Sequence, residues 1–201
     1  MDGLNGIHVT ELAAAVSIGG NFVMMNERGI LSSAPGLVVS DNLIQTNHIG
    51  LKLEGAVGAI ISDNGIQGNN VGLGLLGMDA VMSGNIVTGN RGLGLTVHAG
   101  TGNTVSGNSV LGNGIGVKIG NAAEAAVHGN NIFGNDTVAV PTQNAGLISN
   151  ASADVDASGN YFGVPTTSTF PGDQIYNLGT GNLATTPSAK ARFIVALEPM
   201  K

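Results

Sequence analysis

The chain has 201 residues, no cysteine, 33 glycines, 10% charged side chains and a formal net charge of −6. Without cysteine it can form no disulfide and no thiolate metal site, and an acidic chain with no Lys/Arg cluster argues against nucleic acid as a partner. At 42% hydrophobic residues it has enough apolar surface to fold. Its apolar runs are broken by Asn, Ser, Thr and Gly, so we expect no membrane span.

Asparagine recurs at a regular spacing along the chain. One set is Asn21, Asn42, Asn64, Asn85, Asn108 and Asn130, and a second set five residues later is Asn26, Asn47, Asn69, Asn90, Asn113 and Asn135. Neighbouring repeats are 21 to 23 residues apart, a period typical of solenoids, in which each coil buries its apolar face only against its neighbours. Asn5 precedes Asn21 by 16 residues, so we place it in the second set, within an incomplete first repeat.

Each repeat carries three short apolar segments. The first segment is centred three residues before the first Asn, and the second lies two residues after it. The third follows the second Asn and alternates strictly, as in Ile49–Leu53, Val71–Leu75, Leu93–Val97 and Ile115–Ile119. Alternation of this kind predicts strands with one face inward. We therefore predict an all-β, single-domain parallel β-solenoid of about seven coils, whose corner asparagines bond to one another along the rod.

The repeat Asn-x-Ile-x-x-Asn followed by Gly-Ile-x-Leu resembles the right-handed parallel β-helix repeat of pectate-lyase-like proteins, over residues 5 to about 163. The tail Val155–Gly163, followed by Gly181-Asn182-Leu183, is similar to the closing coil of secreted bacterial members, although Phe162 stands where they usually have Trp. The resemblance implies a right-handed β-helix. Because the superfamily includes lyases, hydrolases, epimerases, phage tailspikes and adhesin stalks, it does not define one function.

We divide the chain into a β-helix over residues 1–165 and a C-terminal tail or cap over residues 166–201. The apolar segment 191–197 suits a cover for the last coil, because an uncovered solenoid end exposes an open strand edge. The longest interval between coils places a loop around Thr142–Ala145, which we interpret as part of this cap or as a binding loop.

The alternating strands predict two outward columns. The first is His8, Gly50, Gly72, Gly94, Gly116 and Ala139, and the second is Thr10, Lys52, Gly74, Thr96, Lys118 and Pro141. Glycine within a strand often marks close approach by a ligand or another backbone. These columns therefore predict a flat binding strip, with Lys52, Gly72, Gly74, Gly94, Thr96, Gly116 and Lys118 as candidate ligand-binding residues. Gly is also explained by repeat duplication and a tight preceding turn.

An enzyme is the competing interpretation. A lyase or epimerase acting on acidic glycans needs a base and a group that neutralises the substrate carboxylate. His98 lies two residues beyond Thr96 and one coil from Lys118, and Glu54 lies about two coils away. His98 and Lys118 are thus the candidate catalytic pair, against the alternative that both are solvated surface side chains.

Asp41 and Asp63 each precede an asparagine of the first set in consecutive coils. Stacked coils would bring the two carboxylates to about 5 Å, close enough to share a cation such as calcium. The alternative is that both are exposed turn residues. No other cofactor is expected.

Outward positions on another face are more apolar than a free surface needs: Phe22, Leu43 and Ile86, then Met24, Leu111 and Phe133. We expect this side to pack against a partner, most simply another copy of the chain. Together these observations favour a non-catalytic binding or structural module that contacts a polysaccharide or another protein. We expect it to be secreted or at the cell surface, with its export signal outside residues 1–201 because Met1–Asn5 lacks the features of one.

Overall fold

A computed structural model describes residues 3–13, 15–135, 145–163 and 175–185. These residues form a right-handed parallel β-helix, as the repeat predicted, and they contain no helix. Consequently none of them belongs to a helix long and apolar enough to cross a membrane.

The strands in chain order are β1 (Gly3–Val9), β2 (Ser17–Gly19), β3 (Phe22–Met24), β4 (Asn26–Ser32), β5 (Val38–Ser40), β6 (Leu43–Gln45), β7 (Ile49–Val57), β8 (Ile60–Ser62), β9 (Gly65–Gln67), β10 (Val71–Met78), β11 (Val81–Ser83), β12 (Ile86–Thr88), β13 (Leu93–Ser106), β14 (Ser109–Leu111), β15 (Ile115–His128), β16 (Asn131–Phe133), β17 (Ala145–Ser149), β18 (Val155–Asp156), β19 (Ile175–Asn177) and β20 (Leu183–Ala184). Every pairing between these strands is parallel.

The strands form a 14-stranded sheet that wraps around two sides of the rod and a 6-stranded sheet that closes the third side. The smaller sheet has the order β16-β14-β12-β9-β6-β3, so within the described residues six coils contribute a strand to it. Strands β19 and β20 extend the larger sheet beyond these six coils, in agreement with a solenoid of about seven coils.

The core consists of the three inward columns that the repeat predicted. Their members are Ile18, Val39, Ile61, Met82, Val105 and Val127; Val23, Ile44, Ile66, Val87, Val110 and Ile132; and the pairs Leu51/Leu53, Leu73/Leu75, Leu95/Val97 and Val117/Ile119. All of these side chains are buried, and each packs on its equivalent one coil away. Because one coil cannot bury its own apolar face, burial depends on stacking in register.

Two asparagine ladders hold the coils in register. Along the first ladder the backbone N–H and the Nδ2 amide of Asn64 both donate to Oδ1 of Asn85, at 3.1 and 3.0 Å. Asn85 repeats the pattern toward Asn108, at 3.0 and 2.9 Å. The second ladder runs in the same way from Asn26 to Asn135. The predicted ladders are therefore present.

Two details of the ladders differ from the sequence-based prediction or extend it. Asn5 lies opposite Arg28 rather than Asn26, and Gly3 takes the position opposite Asn26, so placing Asn5 in the second ladder was wrong. At the other end, Asn160 accepts from Asn130 at 3.0 and 2.9 Å and so continues the first ladder.

The division at residue 165 stays a prediction, although residues 175–185 of the tail add β19 and β20 to the larger sheet. The proposed cover at 191–197 lies outside the described residues, as do residues 142–144 of the predicted loop. Ala145 begins β17.

Replacing a central ladder amide should destabilise the fold strongly. Asn85→Ala removes the acceptor of Asn64 and leaves the carbonyl oxygen of Ile61 and Oδ1 of Asn108 short of a donor, all in the interior. We expect the free energy of unfolding to fall by on the order of 3 kcal/mol, measured by urea denaturation.

The matched control is Asn70→Ala, because the Asn70 amide is only partly buried and hydrogen-bonds to the exposed His48 ring, at 2.9 Å. That change should cost about 0.5 kcal/mol or less. Equal losses for the two variants would contradict the role given to the ladders.

Candidate functional site

One outward column of the larger sheet gathers the polar residues of the predicted strip. The strand register aligns Lys52 of β7, Gly74 of β10, Thr96 of β13 and Lys118 of β15 on successive coils. We call these four residues the Lys52 column. At about 4.8 Å per coil, the backbones of its two lysines lie about 14 Å apart. The prediction that these four residues share one column is confirmed. The two predicted end members, Thr10 and Pro141, were wrong. Ile148 follows Lys118 in this column, and Leu31 and then His8 precede Lys52.

The Lys52 ammonium forms an ion pair with the Glu54 carboxylate on the same strand. The hydrogen bond from Lys52 lowers the pKa of Glu54, and the charges of Lys52, Arg28 and His8 lower it further. Glu54 lies opposite Leu76, which in turn lies opposite Ala99, the residue after His98. Glu54 is therefore two coils from His98, as the sequence indicated. Its negative charge is balanced by the ammonium of Lys52.

Thr96 and Gly74 are buried, whereas the two lysines of the Lys52 column are partly exposed, and Thr96 has 1% of its surface exposed. Its Oγ1 finds no hydrogen-bond partner among the residues that the structure describes. A buried hydroxyl without a partner costs free energy, so it is uncommon in folded proteins. The unpartnered hydroxyl of Thr96 therefore lowers the free energy of unfolding relative to a buried side chain whose polar atoms are all hydrogen-bonded.

A β-bulge presents His98 beside Thr96. Leu75 pairs with Val97 and Leu76 with Ala99, so His98 is the extra residue on β13. Bulges re-aim side chains and are common near functional sites. Partial burial of the imidazole lowers the pKa of His98, and the positive charges of Lys118 and then Lys52 lower it further. Both lysines of the column therefore act electrostatically on this histidine.

The imidazole of His98 leans over the position where Gly74 lacks a side chain. A Cβ atom on Gly74 would lie 3.6 Å from His98 Nε2 and 3.9 Å from Thr96 Cγ2. These are ordinary van der Waals separations, so a space of about one methyl group exists at Gly74. His98 and Thr96 both border it.

The glycine column does not line the outward strip. Gly50, Gly72, Gly94 and Gly116 are buried, and the prediction that they face solvent was wrong. A Cβ on Gly94 would lie 2.7 Å from the carbonyl oxygen of Gly116 and 2.9 Å from the Asn113 amide of the second ladder. Gly50, Gly72 and Gly116 face the same obstacles on their own neighbouring coils. These glycines let each strand pass close to the ladder, a structural role that the repeat pattern could not distinguish from a binding surface.

Asp41 and Asp63 lie at the same corner of adjacent coils, and both have positive φ, 59° and 57°. Both are exposed, and the Asp63 carboxylate lies over Gly84 of the next coil. Across residues 3–13, 15–135, 145–163 and 175–185, no three His, Cys, Asp or Glu side chains converge to hold a metal ion. Calcium sharing by these two aspartates stays a prediction.

The apolar outward face of the smaller sheet is less continuous than expected. Phe22 is 55% exposed, but its column continues through Leu43, Gly65 and Ile86 to polar Ser109. In the adjacent column Gln67 donates to Gln45 at 2.8 Å, and Phe133 packs edge-on against Tyr161. Packing of this face against another copy stays a prediction.

Sequence reasoning found His98 but missed what makes its position unusual. The burial of Thr96 and its unpartnered hydroxyl depend on neighbouring coils and have no signal within one repeat. The bulge does have a signal in the sequence, because the segment from Val97 to the core residue Val105 is longer than the equivalent segment from Leu75 to Met82.

The fold defines a right-handed parallel β-helix protein, and comparison with known proteins places the chain more narrowly. Residues 2–177 match the family described as "Periplasmic copper-binding protein (NosD)". The match covers most of the chain, so the chain belongs to the NosD family of β-helix proteins. Because that family is described as periplasmic, the chain belongs to an exported protein.

Among solved structures, the A-module of the mannuronan C-5 epimerase AlgE4 from Azotobacter vinelandii is similar, with 14% sequence identity and a TM-score of 0.44. The likeness covers 88% of this chain and 62% of that chain. The chain therefore corresponds to less than two-thirds of that module. No curated protein matches the chain.

The two glycine columns should respond differently to a methyl group. Gly94→Ala places a Cβ against a backbone carbonyl and a ladder amide, whereas Gly74→Ala makes only ordinary contacts. We expect Gly94→Ala to lower the free energy of unfolding by about 1–3 kcal/mol and Gly74→Ala to leave it nearly unchanged, measured by thermal and urea unfolding. A well-tolerated Gly94→Ala would show that the glycine column is not needed for packing.

His98 should make stability depend on pH. Its pKa is lowered from 6.5 in the folded state, so the unfolded chain takes up a proton first as the pH falls, and unfolding becomes easier. Between roughly pH 7.5 and 5.5, the free energy of unfolding of the wild type should fall more than that of His98→Gln, which cannot titrate there. Urea midpoints at both pH values measure this difference, and parallel decreases would contradict it.

Proposed function

We propose that this chain is a non-catalytic binding module of an exported protein, and that it holds an acidic polysaccharide along the Lys52 column. The observation that carries the proposal is the clustering of two lysines and a bulge-presented histidine around an unsatisfied buried hydroxyl. Although the whole chain is acidic and Glu54 pairs with Lys52, Lys118 forms no ion pair with a described residue, and this end of the column suits an anionic ligand.

The spacing of the column suits an extended ligand rather than a compact one. Lys52 and Lys118 are three coils apart, about 14 Å at the backbone, so a single small anion cannot contact both. A polymer lying along the rod axis would meet one coil after another. Its anionic groups would be drawn to the lysines, and the polymer would pass over Gly74 and Thr96 between them.

Copper, which the family description names, is not part of this proposal. The chain has no cysteine and four histidines, His8, His48, His98 and His128, all within the described residues. They lie on different coils, and the described residues bring no three His, Cys, Asp or Glu side chains together. The described residues therefore offer no group of three such side chains on which a copper proposal could rest.

A second candidate function is a lyase or an epimerase that acts on an acidic glycan. The lowered pKa of His98 favours it, because a neutral imidazole can remove a proton from the carbon next to a carboxylate. Lys118 would then neutralise that carboxylate. In this alternative His98 is the base and Lys118 the electrostatic partner.

Removing the two lysine charges should weaken binding. We expect the double variant Lys52→Gln/Lys118→Gln to bind polygalacturonate or alginate oligomers at least about tenfold more weakly than wild type, with a shallower dependence on salt. Isothermal titration calorimetry at two salt concentrations measures both effects. Arg91→Gln is the matched control, because Arg91 lies at the corner after Asn90, outside the column.

Failure of the wild type to bind acidic oligomers more tightly than neutral ones of the same length would contradict the proposal. Incubation of the same oligomers with the protein tests the alternative. Ultraviolet absorbance from unsaturated uronide would indicate a lyase, and a change in sugar configuration by NMR would indicate an epimerase.

A further inference from the structure

We propose that the space at Gly74 is a subsite for one oxyanion group of the ligand. His98 covers this space in the free protein, and the Thr96 hydroxyl donates a hydrogen bond to the oxyanion in the complex. This inference rests on the proposed function, since it assigns the point in the Lys52 column at which a single acidic group is recognised. The group is a carboxylate of a uronic acid or a sulfate of a sulfated sugar.

The space exists because Gly74 is the one glycine of the Lys52 column. Its absent side chain leaves room that His98 Nε2 and Thr96 Cγ2 border, at 3.6 and 3.9 Å from the missing Cβ. Gly72 and Gly94 are buried as Gly74 is, but backbone oxygens of the next coil occupy the space at their missing Cβ atoms, at 2.5 and 2.7 Å. The opening at Gly74 is therefore bordered by side chains, which can move.

Thr96 can supply the missing donor. Its methyl group faces the space at Gly74, and its hydroxyl is buried without a partner among the described residues. A change of χ1 by about 120° moves the threonine hydroxyl to the position that the methyl group occupied, while the methyl group moves to the position of the Cβ hydrogen. The hydroxyl would then face the space and donate to an oxyanion, and the stability that the unpartnered group costs would be recovered on binding.

His98 suits the role of a movable cover. It lies on a bulge, where it has no register partner on β10, and its side chain is exposed. Lys52, which is ion-paired with Glu54, is the register partner of Gly74 on one side, and Lys118 is the register partner of Thr96 on the other side. An oxyanion at Gly74 would therefore lie between the two lysines of the column. Both features favour exchange of the ring for an anion.

Thr96→Val tests the subsite because it removes the hydroxyl and keeps the shape. We expect this variant to unfold at a higher temperature than wild type and to bind acidic oligomers about tenfold more weakly. Thr96→Ser keeps the hydroxyl and should retain binding. Thr88→Val, on the smaller sheet, is the control and should leave affinity unchanged. Unchanged affinity in Thr96→Val would overturn the subsite.

His98→Ala tests the cover. Removing the imidazole should tighten binding by about threefold or more, because the ligand no longer has to displace it. Weaker binding would show that His98 contacts the ligand directly, and would overturn the role of cover.

Galacturonate oligomers, sulfated oligomers and neutral oligomers of equal length form the three arms of both titrations. The oligomer whose affinity falls in the Thr96→Val variant carries the oxyanion that the subsite binds. If wild type binds acidic oligomers and none of the arms responds to Thr96→Val, the subsite fails and the proposed function stands. If wild type binds none of them, the proposed function itself fails.

Discussion

The rest of the structure depends on the hydrogen bonds between equivalent asparagine side chains on successive coils. Each buried carboxamide accepts two N–H groups from the coil before it and donates to the coil after it, as Asn85 does between Asn64 and Asn108. A shift by one residue would leave all of these groups unpaired in the interior, which is costly. The ladders therefore fix the register of the whole rod.

Because the register is fixed, equivalent residues of successive coils stack in columns. The outward columns determine which ligands the surface can bind. It stacks the apolar residues into one core and aligns Lys52 with Gly74, Thr96 and Lys118. The candidate site arises where this regularity is relaxed, at the bulge of His98 and the unpartnered hydroxyl of Thr96. Functional sites are often the places where a fold gives up stability.

Most of the fold could be predicted from the sequence, because the repeat determines both the core columns and the ladders. The errors came from positions where local spacing does not determine register or exposure. Asn5 has the right interval but lies opposite Arg28, and Gly94 alternates as an outward residue yet packs on Asn113. The candidate site was predicted only as a set of residues, since the burial of Thr96 depends on side chains from other coils.

The central claim, that buried carboxamide ladders hold the coils in register, is tested most directly by hydrogen exchange at the asparagine side chains, followed by NMR. The Nδ2 hydrogens of Asn64, Asn85 and Asn108 should exchange slowly, because each amide is buried and bonded between coils. The exposed Asn182 amide should exchange much faster. Equally fast exchange at the ladder amides and at Asn182 would contradict this account.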